Sequence, residues 1–236
     1  MFTHKKATQK QLKTEHGNVL FIILIAVALF AALSYAFTQS SRGGGEDTNP
    51  ERNSILASEV LEYAKQLEQA VTTIRSNRYS ENQLSFAHGD LTGYGTYGTN
   101  PEMEIFHPQG GGASYRIFPS ATASDWVFTG ANIVHEVGNF SETYAACTAS
   151  CADLVAILPN VSQNLCTTIN QKLAINSTPV DSGTADITTK FTGTFTKTQA
   201  LDDAGSVIDG QRTGCFEGGG TPAAGTYHFY HVLLVR

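Results

Sequence analysis

The sequence predicts an α+β protein with an N-terminal transmembrane helix, an amphipathic helix and then a mainly antiparallel, β-rich exported head with disulfides. An apolar run at residues 19–37 predicts the first helix, and an apolar stripe at helical spacing within 56–74 predicts the second. Short segments rich in Thr, Phe, Tyr and Val predict the head. The expected segments are a basic leader at 1–17, the transmembrane helix at 18–38, a Gly-rich hinge at 39–49, the amphipathic helix at 50–78 and the head at 79–236.

The apolar run is long enough to cross a roughly 30 Å hydrocarbon layer as one helix, because Ser34 and Tyr35 carry its only polar side chains. Basic residues beside a span tend to stay on the cytoplasmic side. The basic residues of the leader are Lys5, Lys6, Lys10 and Lys13. We therefore expect a single-pass inner-membrane protein whose N-terminus is cytoplasmic and whose C-terminal domain is periplasmic or extracellular.

Charge separates the leader from the rest of the chain. Residues 1–17 carry four basic residues and one acidic residue, whereas the remainder carries eleven basic and twenty acidic residues, a net charge of −9. An acidic domain without a basic patch argues against nucleic acid as a partner. The membrane is the partner that the apolar run predicts.

The apolar run has more than one possible fate. Without cleavage it remains an anchor. Ser34, Tyr35 and Ala36 place small residues at the positions that a secretory signal peptidase reads, so cleavage after Ala36 would release the head. A third fate, cleavage after Gly17, comes from a family resemblance.

Residues 16–34 resemble the class III signal of bacterial type IV pilins and pseudopilins: a basic leader ends at Gly17, and Asn18 begins a long apolar stretch. The resemblance implies that a prepilin peptidase cuts after Gly17 and that Asn18 becomes the new N-terminus. It also implies that the apolar helix packs against the helices of other pilin-like subunits and that an assembly platform builds the filament.

One position departs from the family pattern. Most members have Glu at the fifth mature position, where this chain has Ile22. The charge that pairs with a neighbouring subunit's N-terminus is therefore missing. The resemblance implies a minor pilin or pseudopilin of a type IV filament or a type II secretion-like assembly. An anchored or secreted binding or adhesion protein without a filament role is the alternative.

The second helix follows a glycine-rich break at 43–45. Thr48, Asn49 and Pro50 provide a cap and a proline that the first helical turn tolerates. The apolar stripe predicts the face that packs on the head. Its members are Leu56, Val60, Tyr63, Ala64, Leu67, Val71 and Ile74.

The head is predicted to hold strands near 115–118 and 126–128, a returning strand at 133–137, and further strands at 186–196 and 226–235. The segment 161–175 predicts a short helix that places Leu165, Ile169 and Leu173 on one face. The last strand is apolar on both alternating faces, which is typical of a strand inside a sheet.

All the cysteines lie in the predicted head, at Cys147, Cys151, Cys166 and Cys215. An even number in an oxidising compartment predicts disulfides, and four cysteines allow three pairings. We expect Cys147 to pair with Cys151 and Cys166 with Cys215. A zinc site is the alternative, but the spacing lacks the two short pairs of a zinc ribbon.

The glycine-rich segment 88–115 predicts exposed loops. Tyr94, Tyr97 and Tyr115 could form a contact surface there, although packing between loops is the stronger explanation. Neither glycine cluster is followed by the lysine of a phosphate-binding loop, so no cofactor is predicted.

The sequence contains no recognisable catalytic motif, so we expect no enzyme. Asp153, Ser162 and Asp209 lack the surroundings of a catalytic triad. His228 and His231 lie three positions apart in a predicted strand, which directs them to opposite faces and makes them poor ligands for one metal. His135 and Glu136 could belong to a site, but an exposed polar pair on a hairpin is the stronger interpretation.

Overall fold

The computed structural model describes residues 21–31, 50–138, 151–176, 178–180, 184–196, 199–201 and 206–236. The chain divides into two compact units, Met1–Thr48 and Asn49–Arg236. The first unit is described through its helical residues 21–31, here called α1, and the second contains all the strands. The predicted leader at 1–17 and hinge at 39–49 lie outside the described residues.

Helix α1 does not support the predicted transmembrane helix at 18–38. Among the helices of the described residues, none combines the length and the apolar character that crossing a bilayer requires. The predicted transmembrane helix and the predicted single-pass inner-membrane location, cytoplasmic N-terminus included, are therefore wrong.

Helix α2 spans Pro50–Ser76, with Pro50 in the first turn, Glu51 near the positive end of the helix dipole and Arg75 near the negative end. It occupies most of the segment predicted as the amphipathic helix at 50–78. Every member of the predicted apolar stripe is buried, together with Ala57 and Ala70. Arg78 follows with a φ of 72°, a left-handed conformation in which a helix cannot continue.

One five-stranded sheet forms the centre of the second unit. Its strands are β1 (Val127–Ile133), β2 (Asp153–Val161), β3 (Gln199–Ala200), β4 (Thr213–Glu217) and β5 (Tyr227–Leu234). They lie in the order β3-β1-β2-β5-β4. Three pairings are antiparallel, and β1 with β3 is parallel, so the sheet is mixed rather than purely antiparallel. The class is α+β, with α3 (Gln163–Lys172) following β2.

Several strand predictions differ from the structure. The segment 115–118 forms no strand, and 186–196 is irregular, although the Phe191 amide donates to the Phe128 carbonyl at 2.8 Å. Strand β2 was not predicted from the sequence, and it contains Pro159. The register of β2 against β5 shifts between Leu158 and Val161, and this irregularity accommodates the proline.

The sheet is buried on both faces. Leu154, Ala156 and Leu158 of β2 belong to one apolar cluster, whereas Val155 and Ile157 belong to the other. We call the first the helix-covered face, because α2, α3 and the aromatic loops 84–126 contribute to its cluster. We call the second the loop-covered face, because residues 175–208 contribute most of its covering side chains.

The aromatic loops approach α2 closely. A Cβ atom added to Gly111 would lie 2.9 Å from the Ala70 Cβ and 2.6 Å from the Ile105 carbonyl oxygen, so this position has room for glycine alone. Gly110 is buried too. The 110–112 cluster, predicted as exposed loop, therefore contains packing positions.

Candidate functional site

The disulfide predicted between Cys166 and Cys215 is present and joins α3 to β4, with a Cα separation of 5.4 Å. Asn170 reinforces it, because its side-chain amide donates to the Cys215 carbonyl and accepts from the Cys215 amide, each at 2.9 Å. Both sulfur atoms are used in this bond, so neither can ligate zinc. The pairing stabilises the packing of α3 on the sheet.

The other predicted processing and pairing sites lie outside the described residues. Gly17 and Asn18 lie there, as do Ser34 to Ala36 and Cys147. Cys151 is described just before β2, but its predicted partner is not. The Cys147 to Cys151 pairing and the cleavage after Gly17 stay predictions.

The three tyrosines predicted as a contact surface have different environments. Tyr94 is buried, and its hydroxyl accepts from the Phe128 amide at 2.8 Å. Burial raises the pKa of Tyr94 to about 12. Tyr115 is half-buried, whereas 43% of Tyr97 is exposed. Only Tyr97 and the edge of Tyr115 can meet a partner.

Tyr97 lies within a cluster of partly exposed rings that we call the outer aromatic patch: His88, Tyr97, His107 and Tyr115. The Tyr97 ring centroid is 5.8 Å from that of His88 and 5.4 Å from that of His107. The Tyr115 ring is 5.0 Å from His88. Behind them, Phe106 contacts both His88 and Tyr115 and links the patch to the buried core. These separations are those of favourable ring pairs.

A buried carboxylate holds the loop that carries Tyr97. Glu104 is 1% exposed and accepts from the Gly98 amide at 2.8 Å and from the Asn100 amide at 3.2 Å. The Thr99 amide donates to the Thr96 carbonyl in the same loop. Charge-assisted hydrogen bonds of this kind are the stronger ones. The outer aromatic patch is thereby fixed in place.

A second polar cluster connects α2 with the sheet. The His231 Nε2 lies 3.1 Å from a Glu68 carboxylate oxygen, and its Nδ1 lies 2.6 Å from the Thr213 hydroxyl. Arg212 donates to the other Glu68 oxygen at 2.7 Å. Thr213 and His231 are a cross-strand pair. Strand β4 thus contributes Thr213, β5 contributes His231, and α2 contributes Glu68. Sequence reasoning missed this cluster because 163 positions separate Glu68 from His231.

Burial dominates the electrostatics of this cluster. His231 is 4% exposed, and desolvation lowers its pKa, while the neighbouring Glu68 acts in the opposite direction. A neutral imidazole between a hydroxyl and a carboxylate can relay a proton. Its position inside the helix–sheet contact also makes it a polar tie between α2 and β5.

The remaining singled-out residues have structural partners. His228 accepts from the Asn160 amide through Nδ1, so it contacts a different element from His231. Ser162 caps α3 by accepting from the Leu165 amide at 3.3 Å. Asp153 accepts from the backbone amides of Val134 and Arg236, and burial raises its pKa to about 7.

His135 and Glu136, predicted as an exposed pair on a hairpin, differ in their exposure. His135 is buried at 6% exposure, whereas Glu136 is exposed with a φ of 55°. Over the ranges that the structure describes, no group of three or more His, Cys, Asp or Glu side chains could hold a metal ion. The prediction of an exposed polar pair at 135–136 is therefore wrong for His135 and confirmed for Glu136.

Comparison of the chain with protein-family models, with curated proteins and with solved structures gave no match. The family resemblance consequently depends on residues 16–34 alone.

Proposed function

We propose that this protein is a structural subunit of a bacterial type IV filament or a type II secretion-like assembly, of the minor pilin or pseudopilin type. The observation that supports the proposal is the exposure of the apolar helix α1. All eleven described residues of this helix are exposed, and eight of them are large and apolar. A helix that is apolar on every side needs a cover, and equivalent helices of neighbouring subunits provide a matching one.

The exposure of α1 is spread around its circumference. Leu24 is 60% exposed, Val27 is 61% exposed and Phe30 is 74% exposed, and these residues lie three apart along the helix. Because residues three apart drift around a helix that turns every 3.6 residues, more than one face is apolar. This pattern favours a helix surrounded by several partners over one that docks on a single surface.

The second unit adds support of a different kind. A long amphipathic helix follows the apolar segment, buries one face on a sheet, and is accompanied by a disulfide. A helix followed by a β-rich domain is the architecture that the family resemblance implies. A prepilin peptidase and an assembly platform are the partners that the proposal requires, and the absence of the usual Glu at Ile22 suits a subunit present in few copies.

N-terminal sequencing of the protein recovered from the sheared filament fraction tests the processing. We expect Asn18 as the first residue. A first residue of Phe37 or Met1 would contradict processing of the pilin type, and so would a protein that never enters the sheared fraction.

A charge placed on α1 tests the packing. We expect Leu24→Asp to remove the protein from the sheared fraction, because burying an unpaired carboxylate among apolar helices is costly. Ile117→Asp is the matched control, since Ile117 is 63% exposed and lies in the second unit. Equal incorporation of both variants would contradict the role assigned to α1.

A binding or adhesion protein without a filament role is the second candidate function. The exposure of Tyr97 within a fixed loop favours it. Retention of ligand or surface binding by a protein that never enters filaments would support this candidate over the first.

A further inference from the structure

Tyr97 differs from every other aromatic ring described in the second unit. Among the Phe, Tyr and Trp side chains of the described residues from 50 onward, Tyr97 alone is exposed, and the others are buried or half-buried. Its neighbour His88 contacts Phe106, which is buried in the core together with Phe86, Tyr94 and Phe128. An exposed ring at the edge of a packed aromatic cluster provides a flat apolar surface at little entropic cost.

The Tyr97 surface is held before any ligand arrives. The buried Glu104 carboxylate binds the two amides on either side of Thr99, and Gly95 and Gly98 adopt φ values of 100° and 80° that other residues rarely adopt. A loop that is already ordered pays less conformational entropy on binding. This arrangement therefore favours a preformed site.

The two imidazoles beside Tyr97 present the same chemical group. The Nδ1 of His88 accepts from the Asp90 amide, and the Nδ1 of His107 accepts from the Gln109 amide, each at 3.2 Å. An imidazole that accepts through Nδ1 in its neutral form carries its proton on Nε2. In that form each histidine carries an Nε2–H donor, and the ring centroids of His88 and His107 lie 5.8 Å and 5.4 Å from that of Tyr97.

The charge beside the patch narrows the ligand class. The Asp90 carboxylate lies 3.6 Å from the His88 Nδ1, and its side chain is 79% exposed. A carboxylate repels phosphate and accepts from hydroxyl groups, while the two N–H donors oppose a cation lying on the ring. The ligand that suits all three features is uncharged, has a flat apolar C–H face and carries hydroxyl groups at its rim.

We propose that the outer aromatic patch binds a neutral carbohydrate. One sugar ring stacks on the face of Tyr97, the Nε2–H groups of His88 and His107 donate to sugar oxygens, and the Asp90 carboxylate accepts from a sugar hydroxyl. This inference does not depend on filament assembly, so its failure would leave the proposed function unaffected.

Titration of the full-length protein with maltotetraose, cellotetraose and chitotetraose, followed by saturation-transfer NMR and calorimetry, tests the site. We expect at least one oligosaccharide to bind at millimolar or lower concentration. Tyr97→Ala should weaken that binding by about tenfold, because a lost ring contact of about 1.4 kcal/mol corresponds to that factor. Tyr97→Phe should retain it, because the ring and not the hydroxyl makes the contact.

Ile117→Ala is the control for removal of an exposed apolar side chain elsewhere, and it should bind as the native protein does. His107→Gln retains an N–H donor and should bind better than His107→Ala. Binding of tetramethylammonium or inorganic phosphate in place of sugars would overturn the ligand class. Absence of binding to all three oligosaccharides, or unchanged binding by a folded Tyr97→Ala variant, would overturn the site.

Discussion

The two faces of the sheet are both buried, but they are covered in different ways. The helix-covered face packs against α2, α3 and a cluster of large rings from the aromatic loops that includes Phe86, Phe106 and Trp126. The loop-covered face packs against smaller side chains such as Ile175, Ala185 and Ile208, which come from irregular segments. A helix satisfies its own backbone hydrogen bonds, whereas a loop depends on side chains for them.

Asn132 illustrates how a loop meets this requirement. Its side-chain amide donates to the Asp186 carbonyl and accepts from the Asp186 amide, each at 2.8 Å, and Asn132 is fully buried. One strand residue thus replaces the backbone pairing that the loop lacks. Because helices satisfy their own backbone hydrogen bonds, we infer that the helix-covered face has the more rigid cover.

Removal of the disulfide on the helix-covered face should have the largest effect. The bond closes a segment with a sequence separation of 49, and the chain-entropy model assigns such a loop about 4 kcal/mol. We expect Cys166→Ala with Cys215→Ala to lower the free energy of unfolding by that amount in urea denaturation. Cys147→Ala with Cys151→Ala is the comparison, because the short predicted loop is assigned about 2 kcal/mol. Equal losses in the two double variants would contradict the loop-length argument.

Adjacent residues of β2 compare the two faces directly. Leu158 belongs to the helix-covered face and Ile157 to the loop-covered face, and neither is exposed. We expect Leu158→Ala to cost about 4 kcal/mol and Ile157→Ala about 2.5 kcal/mol, because a rigid cover collapses less into the cavity than a loop does. Urea denaturation measures both, and a larger loss for Ile157→Ala would reverse our view of which cover is rigid.

The two buried histidines of β5 should respond differently to acid. His228 contacts the Phe216 ring on the loop-covered face, and burial lowers its pKa to about 4 from an ordinary value of 6.5. Between about pH 6.5 and pH 4, His228 is protonated in the unfolded chain but neutral in the folded protein. This histidine therefore lowers the free energy of unfolding as the pH falls below about 6.5. For His231 the partner Glu68 offsets part of the same penalty.

Thermal unfolding from pH 7.5 to 5 measures this difference. We expect His228→Gln to reduce the acid-induced drop in Tm more than His231→Gln does. Asp153, whose pKa is raised to about 7, has the opposite sign, since its stabilising contribution is present at low pH and is lost as the pH rises through 7. Asp153 is present in the native protein and in both histidine variants, so its contribution cancels when each variant is compared with the native protein. A greater effect of His231→Gln would show that Glu68 does not offset the burial.

The tyrosine hydroxyls of the aromatic loops should have the smallest effects. Tyr94→Phe leaves the buried Phe128 amide without its acceptor and should cost about 1 kcal/mol. Tyr97→Phe should change the free energy of unfolding by less than about 0.5 kcal/mol, because Tyr97 is exposed. Guanidinium denaturation of both variants is the measurement, and a comparable loss in each would mean that the outer ring is structural.

Local patterns predicted part of the fold. The apolar stripe of α2 depends on 3.6-residue periodicity, and all its predicted members are buried. Strand β5, Tyr227–Leu234, lies within the predicted 226–235 because its run of β-formers is uninterrupted. Strand β4 was missed, since Gly214 and Cys215 weaken its signal and its pairing with β5 decides its conformation.

Taken alone, the sequence determined the amphipathic helix and the last strand, because each depends on local periodicity. For the cysteines it left three possible pairings, of which the structure contains Cys166 to Cys215. The transmembrane expectation is wrong because no helix of the described residues combines the length and the apolar character that crossing a bilayer requires. Only the tertiary structure decided which tyrosine is exposed, which carboxylate holds its loop, and that Glu68, Thr213 and His231 meet. Those outcomes depend on contacts between residues far apart in the chain, which local patterns do not encode.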